Sequence, residues 1–305
     1  MRDLVSISNL TYDEIRSILE LTKKLKSEQK AGIAHHLLKG KTLGMIFTKS
    51  STRTRISFEV GMYQLGGNAI FLNSSDIQLG RGETIKDTAM VLSRYLDGIM
   101  IRTYKHNDVE ELAKYANIPI INGLTDLSHP CQALADIFTL LEIKGTLEGL
   151  KVAYIGDGNN VAHSLLYVCS KLGIDISVIT PKGYECNESV IQQSINFSKV
   201  SGSKVHITNQ IKEGLEGSDV VYTDTWVSMG QEAEKEERIK IFSQYKVSSE
   251  LMSIAKPNAV FMHCLPAYRG YEVLEEIIDG PQSVVLDQAE NRLHVQKAVM
   301  AILMG

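Results

Sequence analysis

Cysteine is scarce in this chain. Its four residues, Cys131, Cys169, Cys186 and Cys264, form no CxxC pair and no metal-ligand spacing. That excludes a disulfide framework or a structural zinc site as the basis of the fold, and inside a cell these would be free thiols. A dominant charge is lacking too. With 32 basic and 36 acidic residues the net charge is −4, which gives no general attraction to nucleic acid or an acidic membrane surface. No apolar run approaches the roughly 20 residues that span a bilayer, so a membrane-crossing helix is excluded. The opening Met-Arg-Asp-Leu-Val-Ser has neither an apolar signal core nor the basic, acid-free character of a transit peptide. A cytoplasmic protein is expected. Internal repeats and low-complexity segments are also missing.

What is present is size and rhythm. At 305 residues the chain is longer than single cores usually grow, so two domains are expected. Thr11-x-x-Glu14 is a capping box, and Ile15, Ile18, Leu19 and Leu25 follow it at helical spacing. Short apolar runs at 42–48, 69–72, 98–102 and 119–122 predict strands. Helices are predicted between them at 53–65, 84–95 and 109–116, and a long one at 130–143. The rhythm restarts after Gly145, with strands at 151–155, 175–180, 205–207, 220–223, 260–262 and 283–286. Such alternation predicts an α/β protein of two doubly wound, parallel-sheet domains, with the boundary near 143–149.

Reactive side chains gather where strands end and helices begin. Ser51-Thr52-Arg53-Thr54-Arg55 sits between a predicted strand and helix, at the carboxyl edge where such sheets bind ligands. A helix start offers unpaired N–H groups and a positive dipole end, the hydroxyls add donors, and Arg53 adds a planar cationic fork. The plain alternative is a Ser cap followed by solvated arginines. Arg102 closes the 98–102 strand and points into the same edge, or forms a surface ion pair. His129-Pro130-Cys131-Gln132 opens a helix; a neutral His can donate to a carbonyl, and Gln132 can read an amide. His263-Cys264-Leu265-Pro266 follows the 260–262 strand. Strand alternation would set His263 and Cys264 on opposite sides, against a protease-like Cys–His pair. Gly156-Asp157-Gly158-Asn159-Asn160 imitates a dinucleotide loop but lacks the third glycine, which counts against a dehydrogenase. Its asparagines could offer amides to a carboxylate. In Asp224-Thr225-Trp226-Val227-Ser228-Met229-Gly230 an acid, a hydroxyl and turn N–H groups suit an amino acid; the lone Trp226 suits packing. The following 232–240 run reads as a solvated helix face.

Taken together, STRTR, HPCQ, DxWxSMG and HCLPAxRG resemble the aspartate/ornithine carbamoyltransferases over essentially the whole chain, and SMG points to the ornithine branch. The resemblance implies carbamoyl transfer from carbamoyl phosphate to the δ-amine of L-ornithine, giving L-citrulline and phosphate, without metal or organic cofactor. It implies that Ser51, Thr52, Arg53 and Thr54 hold the phosphate, and that Arg102 and His129 meet the carbonyl oxygen. Gln132 and the main chain of Cys264 and Leu265 would read the carbamoyl NH2, with Arg292 at the same site. Asn160, Asp224, Ser228 and Met229 would bind ornithine, and Arg102, His129 and Cys264 would carry the catalytic roles. Gln78 would reach a neighbouring subunit's site in a homotrimer. A carbamoyl phosphate-binding domain would span 1–145 together with a C-terminal helix of about 290–305, and an ornithine-binding domain 146–289. A different transcarbamylase, using putrescine or an acylated ornithine, is opposed by Asp224 with Ser228-Met229-Gly230. Retention of the reacting side chains likewise opposes a non-enzymatic binding module.

Overall fold

The computed structural model describes residues 1–75, 77–78, 82–228 and 230–305. They form two compact units, residues 1–138 with 290–305, and residues 139–289.

The first unit opens with helix α1 (Tyr12–Lys30) on the expected capping box: Thr11 Oγ1 accepts from Glu14 N–H at 3.1 Å, and Glu14 accepts from Thr11 N–H at 2.8 Å. Strand and helix then alternate as β1 (Thr42–Phe47), α2 (Thr52–Gln64), β2 (Asn68–Asn73), α3 (Ile85–Leu92), β3 (Gly98–Arg102), α4 (His106–Tyr115) and β4 (Ile120–Leu124). The division between the units falls inside the next helix, α5 (Pro130–Lys144). All pairings in this sheet are parallel, in the order β2-β1-β3-β4. Strand β3 is buried throughout, because helices cover both faces of a parallel sheet. The chain leaves β1 for β2 on one side and returns to β3 on the other, so the switch point lies between β1 and β3. Phe47 pairs with Arg102 in register, and the Thr48 N–H donates to Arg102 O at 2.9 Å. This register brings the STRTR segment and Arg102 to one edge.

In the second unit the elements are β5 (Lys151–Ile155), α6 (Asn160–Leu172), β6 (Asp175–Ile179), α7 (Glu188–Ser201), β7 (Val205–Thr208), α8 (Ile211–Leu215), β8 (Val220–Thr223), α9 (Lys235–Phe242), α10 (Ser249–Met252), β9 (Val260–His263) and α11 (Glu275–Ile278). The final helix, α12 (Val285–Met304), starts here and ends in the first unit. Sheet order is β7-β6-β5-β8-β9, again all parallel, with the switch point between β5 and β8. Ile155, Val221 and Phe261 bury the sheet against Val247, Val273 and Ile278.

The C-terminal part of α12 packs on the first unit, as expected. Lys297 is fully buried and donates to Gln29 Oε1 of α1 at 2.8 Å and Gln64 Oε1 of α2 at 2.9 Å, while Lys26 of α1 donates to Asn291 Oδ1 at 2.7 Å. Gly61 permits the approach: a Cβ there would meet Met300 Cε at 2.8 Å.

Two expectations fail. Residues 283–286 are not a strand. Ser283 makes one isolated bridge to Phe261, and Val285 already begins α12. Nor is 232–240 wholly solvated, because Arg238 on α9 is buried.

Candidate active site

Each unit gathers polar groups at its switch point. In the first, Ser51 caps α2 and its Oγ accepts from Thr54 N–H at 3.3 Å. This fixes the start of the helix, whose remaining N–H groups and dipole favour an anion. Thr54 is buried, and its Oγ1 accepts from Arg292 Nη2 at 3.3 Å. Arg292 also donates from Nη1 to Gln132 Oε1 at 2.7 Å, and Gln132 Nε2 donates to Asp136 Oδ1 at 2.7 Å. The Gln132 amide is thereby oriented, with one lone pair of its oxygen left for a further donor.

His129 lies buried at the start of α5, and its carbonyl accepts from the N–H groups of Gln132 and Ala133. Burial, reinforced by the positive charges of Arg292, Arg102 and Arg53, holds its imidazole well below the usual histidine range. It is therefore neutral at physiological pH and can donate one hydrogen bond without adding charge. Arg102 is buried at the end of β3. Three guanidinium groups around one neutral imidazole make a cradle for an anion that also carries a carbonyl.

Lys49 is a neighbour that motif reasoning missed. It is buried, pairs with Asp126, and lies 3.9 Å from the Tyr104 ring centre. Burial pushes its ammonium below the usual lysine value against the pull of Asp126, with Arg102 adding to the depression. A polar residue next to STRTR was the only available signal, and the partner in β4's loop is far off in sequence. A cavity of about 520 Å³ borders the cradle, with Lys49, Ser51, Thr52, Arg55 and Phe71 in its wall.

In the second unit Asp224 follows β8 and is buried. Asn159 Nδ2 donates to Asp224 Oδ2 at 2.7 Å, and Cys264 Sγ donates to Asp224 Oδ1 at 3.0 Å. The thiol acts here as a hydrogen-bond donor. Asn160 begins α6, Ser228 N–H donates to Gln231 Oε1 at 3.0 Å, and Met229 lies outside the described residues. Gly158 is required by packing, since a Cβ would come within 2.3 Å of Cys186 N. The glycines of this loop serve the chain's own turn.

One expected separation is corrected. Strand β9 ends at His263, and Leu265 adopts φ 57°, so the chain turns instead of alternating. Ligand-type atoms of His263, Cys264 and Asp224 consequently lie within 4.8 Å of one another. His263 Nδ1 accepts from Leu265 N–H at 2.8 Å, which places the proton on Nε2, 3.3 Å from the buried Glu272. Through Nδ1 the ring braces the 264–265 backbone.

Of the residues expected at the site, the first unit joins Thr54, Arg53, Arg102, His129, Gln132 and Arg292 in one network of bonds and charges. The second joins Asp224 and Cys264. Ser51 and Thr52 form the α2 start, and Gln78 lies exposed between β2 and α3.

An anion cradle in one unit and a braced carboxylate in the other define an α/β enzyme acting on two small substrates. Comparison with known proteins makes this specific. The family description "Aspartate/ornithine carbamoyltransferase, carbamoyl-P binding domain" fits residues 2–142, and its "Asp/Orn binding domain" fits residues 148–303. The chain belongs to the aspartate/ornithine carbamoyltransferase family. It is similar to an ornithine carbamoyltransferase of Caldicellulosiruptor saccharolyticus, 59% identical over 99% of this chain and 98% of that one. A Pyrococcus furiosus relative described as anabolic is 58% identical over 100% of this chain and 96% of its own length. The solved structure of the Pyrococcus furiosus enzyme superposes with a TM-score of 0.97, covering 100% of this chain and 97% of that one at 58% identity. That of Campylobacter jejuni, also described as anabolic, gives 0.93 at 42% identity over 99% of each chain.

Proposed function

We propose that this protein is an ornithine carbamoyltransferase, moving the carbamoyl group of carbamoyl phosphate to the δ-amine of L-ornithine to give L-citrulline and phosphate. The observation that carries the reading is His129, kept neutral among Arg53, Arg102 and Arg292. Carbamoyl phosphate supplies what that cradle lacks, a phosphate for the cations and a carbonyl for the imidazole donor.

The phosphate goes to the start of α2, held by Ser51, Thr52, Arg53 and Thr54, with Arg292 behind Thr54. Arg102 and His129 meet the carbonyl oxygen. Gln132, already aligned by Arg292 and Asp136, accepts from the carbamoyl NH2, a task shared with the main chain of Cys264 and Leu265. Ornithine's α-ammonium goes to Asp224, with Asn160, Ser228 and Met229 as the other contacts. Its δ-ammonium, with a pKa near 10.4 by analogy with lysine, must lose its proton before attack. The free amine then attacks the carbamoyl carbon. The oxyanion forming there is stabilised by donors already in place, and phosphate departs toward the cations. Catalysis is positioning and electrostatics, with no covalent intermediate required.

We place the enzyme in the cytoplasm, where its four thiols stay reduced. The described helices include none long and apolar enough to cross a membrane. We also propose a homotrimer; the first unit exposes the apolar side chains of Ile56, Tyr63, Ile70, Met90 and Val91, some of which a contact between copies would cover.

The test is turnover by the purified protein with carbamoyl phosphate and, in turn, ornithine, putrescine, acetylornithine and aspartate. Phosphate and citrulline should appear together with ornithine alone. Equal turnover of putrescine or acetylornithine would remove the assignment.

A further inference from the structure

Asn159 belongs to a loop whose sequence suggested a cofactor, and no role in the reaction falls to it from its neighbours. Its side chain is nevertheless fixed at both ends. The amide oxygen caps α6, accepting from Val161 N–H at 2.9 Å and Ala162 N–H at 3.2 Å, and it also accepts from the Tyr154 hydroxyl at 3.3 Å. Three donors on one oxygen settle which end of the amide is which. The NH2 end must therefore face Asp224 Oδ2, 2.7 Å away. Cys264 holds the other Asp224 oxygen. These groups come from β5, α6, β8 and the turn after β9, so they span the switch point of the second sheet.

We propose that Asn159 is the positioning residue of the amino-acid subsite, transmitting the rigidity of the α6 terminus to Asp224 so that its carboxylate stays aimed. The inference rests on Asp224 meeting the ornithine α-ammonium. Asn159 does not touch substrate. Its carbonyl uses a helix end that is rigid without ligand, and its NH2 fixes the rotation of the carboxylate it holds. The groups facing Asp224 are Asn159, Cys264, His263, Tyr154 and Asp157, so the amide is one of few neutral donors beside two acids.

Two substitutions separate positioning from mere capping. Asp and Ser cap helices about as well as Asn, so both Asn159→Asp and Asn159→Ser retain the α6 start. Asn159→Ser loses the Asp224 donor. Asn159→Asp replaces it with a second carboxylate, and two acids so close share a proton. Steady-state assays with ornithine varied at saturating carbamoyl phosphate, and calorimetry of carbamoyl phosphate alone, give the first readout. In either variant KM for ornithine should rise about tenfold, the loss of one hydrogen bond to a charged group, with carbamoyl phosphate affinity within about twofold of wild type. The second readout is binding of L-norvaline, which has ornithine's α-carbon groups and no δ-amine, at pH 6 to 8 with carbamoyl phosphate present. Asn159→Asp should bind it progressively better as pH rises and the shared proton leaves. Wild type and Asn159→Ser should show no such rise. Ornithine KM unchanged in both variants, or loss of affinity for both substrates alike, would overturn the inference. If Asn159→Asp does not fold, Asn159→Ser decides by the same KM comparison. Wild type that fails to convert ornithine would instead strike at the proposed activity itself.

Discussion

Single side chains set the chemistry by what surrounds them. His129 is useful because it is not charged: among three arginines a protonated imidazole would be repelled, and burial removes the water that would offset it. The neutral ring can still donate, which suits an oxyanion that forms only during reaction. Arg53 is the cradle's outermost arginine, only partly buried at the α2 start. Arg53→Ala should weaken carbamoyl phosphate binding by about 1.5–3 kcal/mol, the range for a hydrogen bond to a charged group, read directly by calorimetry. Unaltered affinity would remove phosphate from this helix start. Asp224→Asn should do the reverse, leaving carbamoyl phosphate affinity intact while raising KM for ornithine, because the anion facing the α-ammonium is gone. Matching losses for both substrates would contradict a division of labour between the units.

Elements decide what the sequence can disclose. The central strand β3 was legible as a short apolar run because it is buried on both faces, and the carboxyl-edge motifs followed from that strand pattern. The Val284-Val285-Leu286 run carries the same apolar signal, yet a helix takes it, since periodicity cannot decide over so few residues. Arg238 was hidden for a different reason. Its run is mostly charged, while what buries it comes from afar: Asp157 at 3.1 Å, Trp226 O at 3.0 Å and the Tyr184 ring at 5.1 Å. Asn159 was visible as an amide donor to a carboxylate, but not that the carboxylate was the protein's own. Helix α12 gives a prediction at this scale. Burial depresses His294 on α12 from 6.5 to about 4, with Glu290 opposing and Lys26 and Lys297 assisting. The native ring is neutral where the unfolded one is charged, so the unfolded chain binds more protons below pH 6.5. Stability is thus fully present above about 6.5 and is lost as pH falls toward 4. His294→Gln keeps a donor for Glu290 and removes that limb. Relative to its value at pH 8, the variant should gain on wild type at pH 5 by at most about 2 kcal/mol, measured by denaturant unfolding. A constant difference at both pH values would show that His294 is already charged in the native protein.

At the scale of the whole molecule, Gln78 is exposed between β2 and α3, and exposed apolar side chains lie on α2, β2 and α3. A closed threefold ring of copies would bring the exposed Gln78 amide to the next subunit's site. Each site of the proposed trimer would then be heterologous, with Arg53 from one subunit and Gln78 from its neighbour. Arg53→Ala and Gln78→Ala proteins should then each be impaired, and for separate reasons. Mixed after dissociation and reassembly, they form hybrids in which a Gln78→Ala subunit keeps its own Arg53 and borrows Gln78 from an Arg53→Ala neighbour. Random mixing in equal amounts leaves about a quarter of such junctions intact, so activity should recover toward about a quarter of wild type. Simple addition of two impaired enzymes gives no recovery. An active monomer in sedimentation, or a mixture no better than its components, would mean that each chain completes its own site.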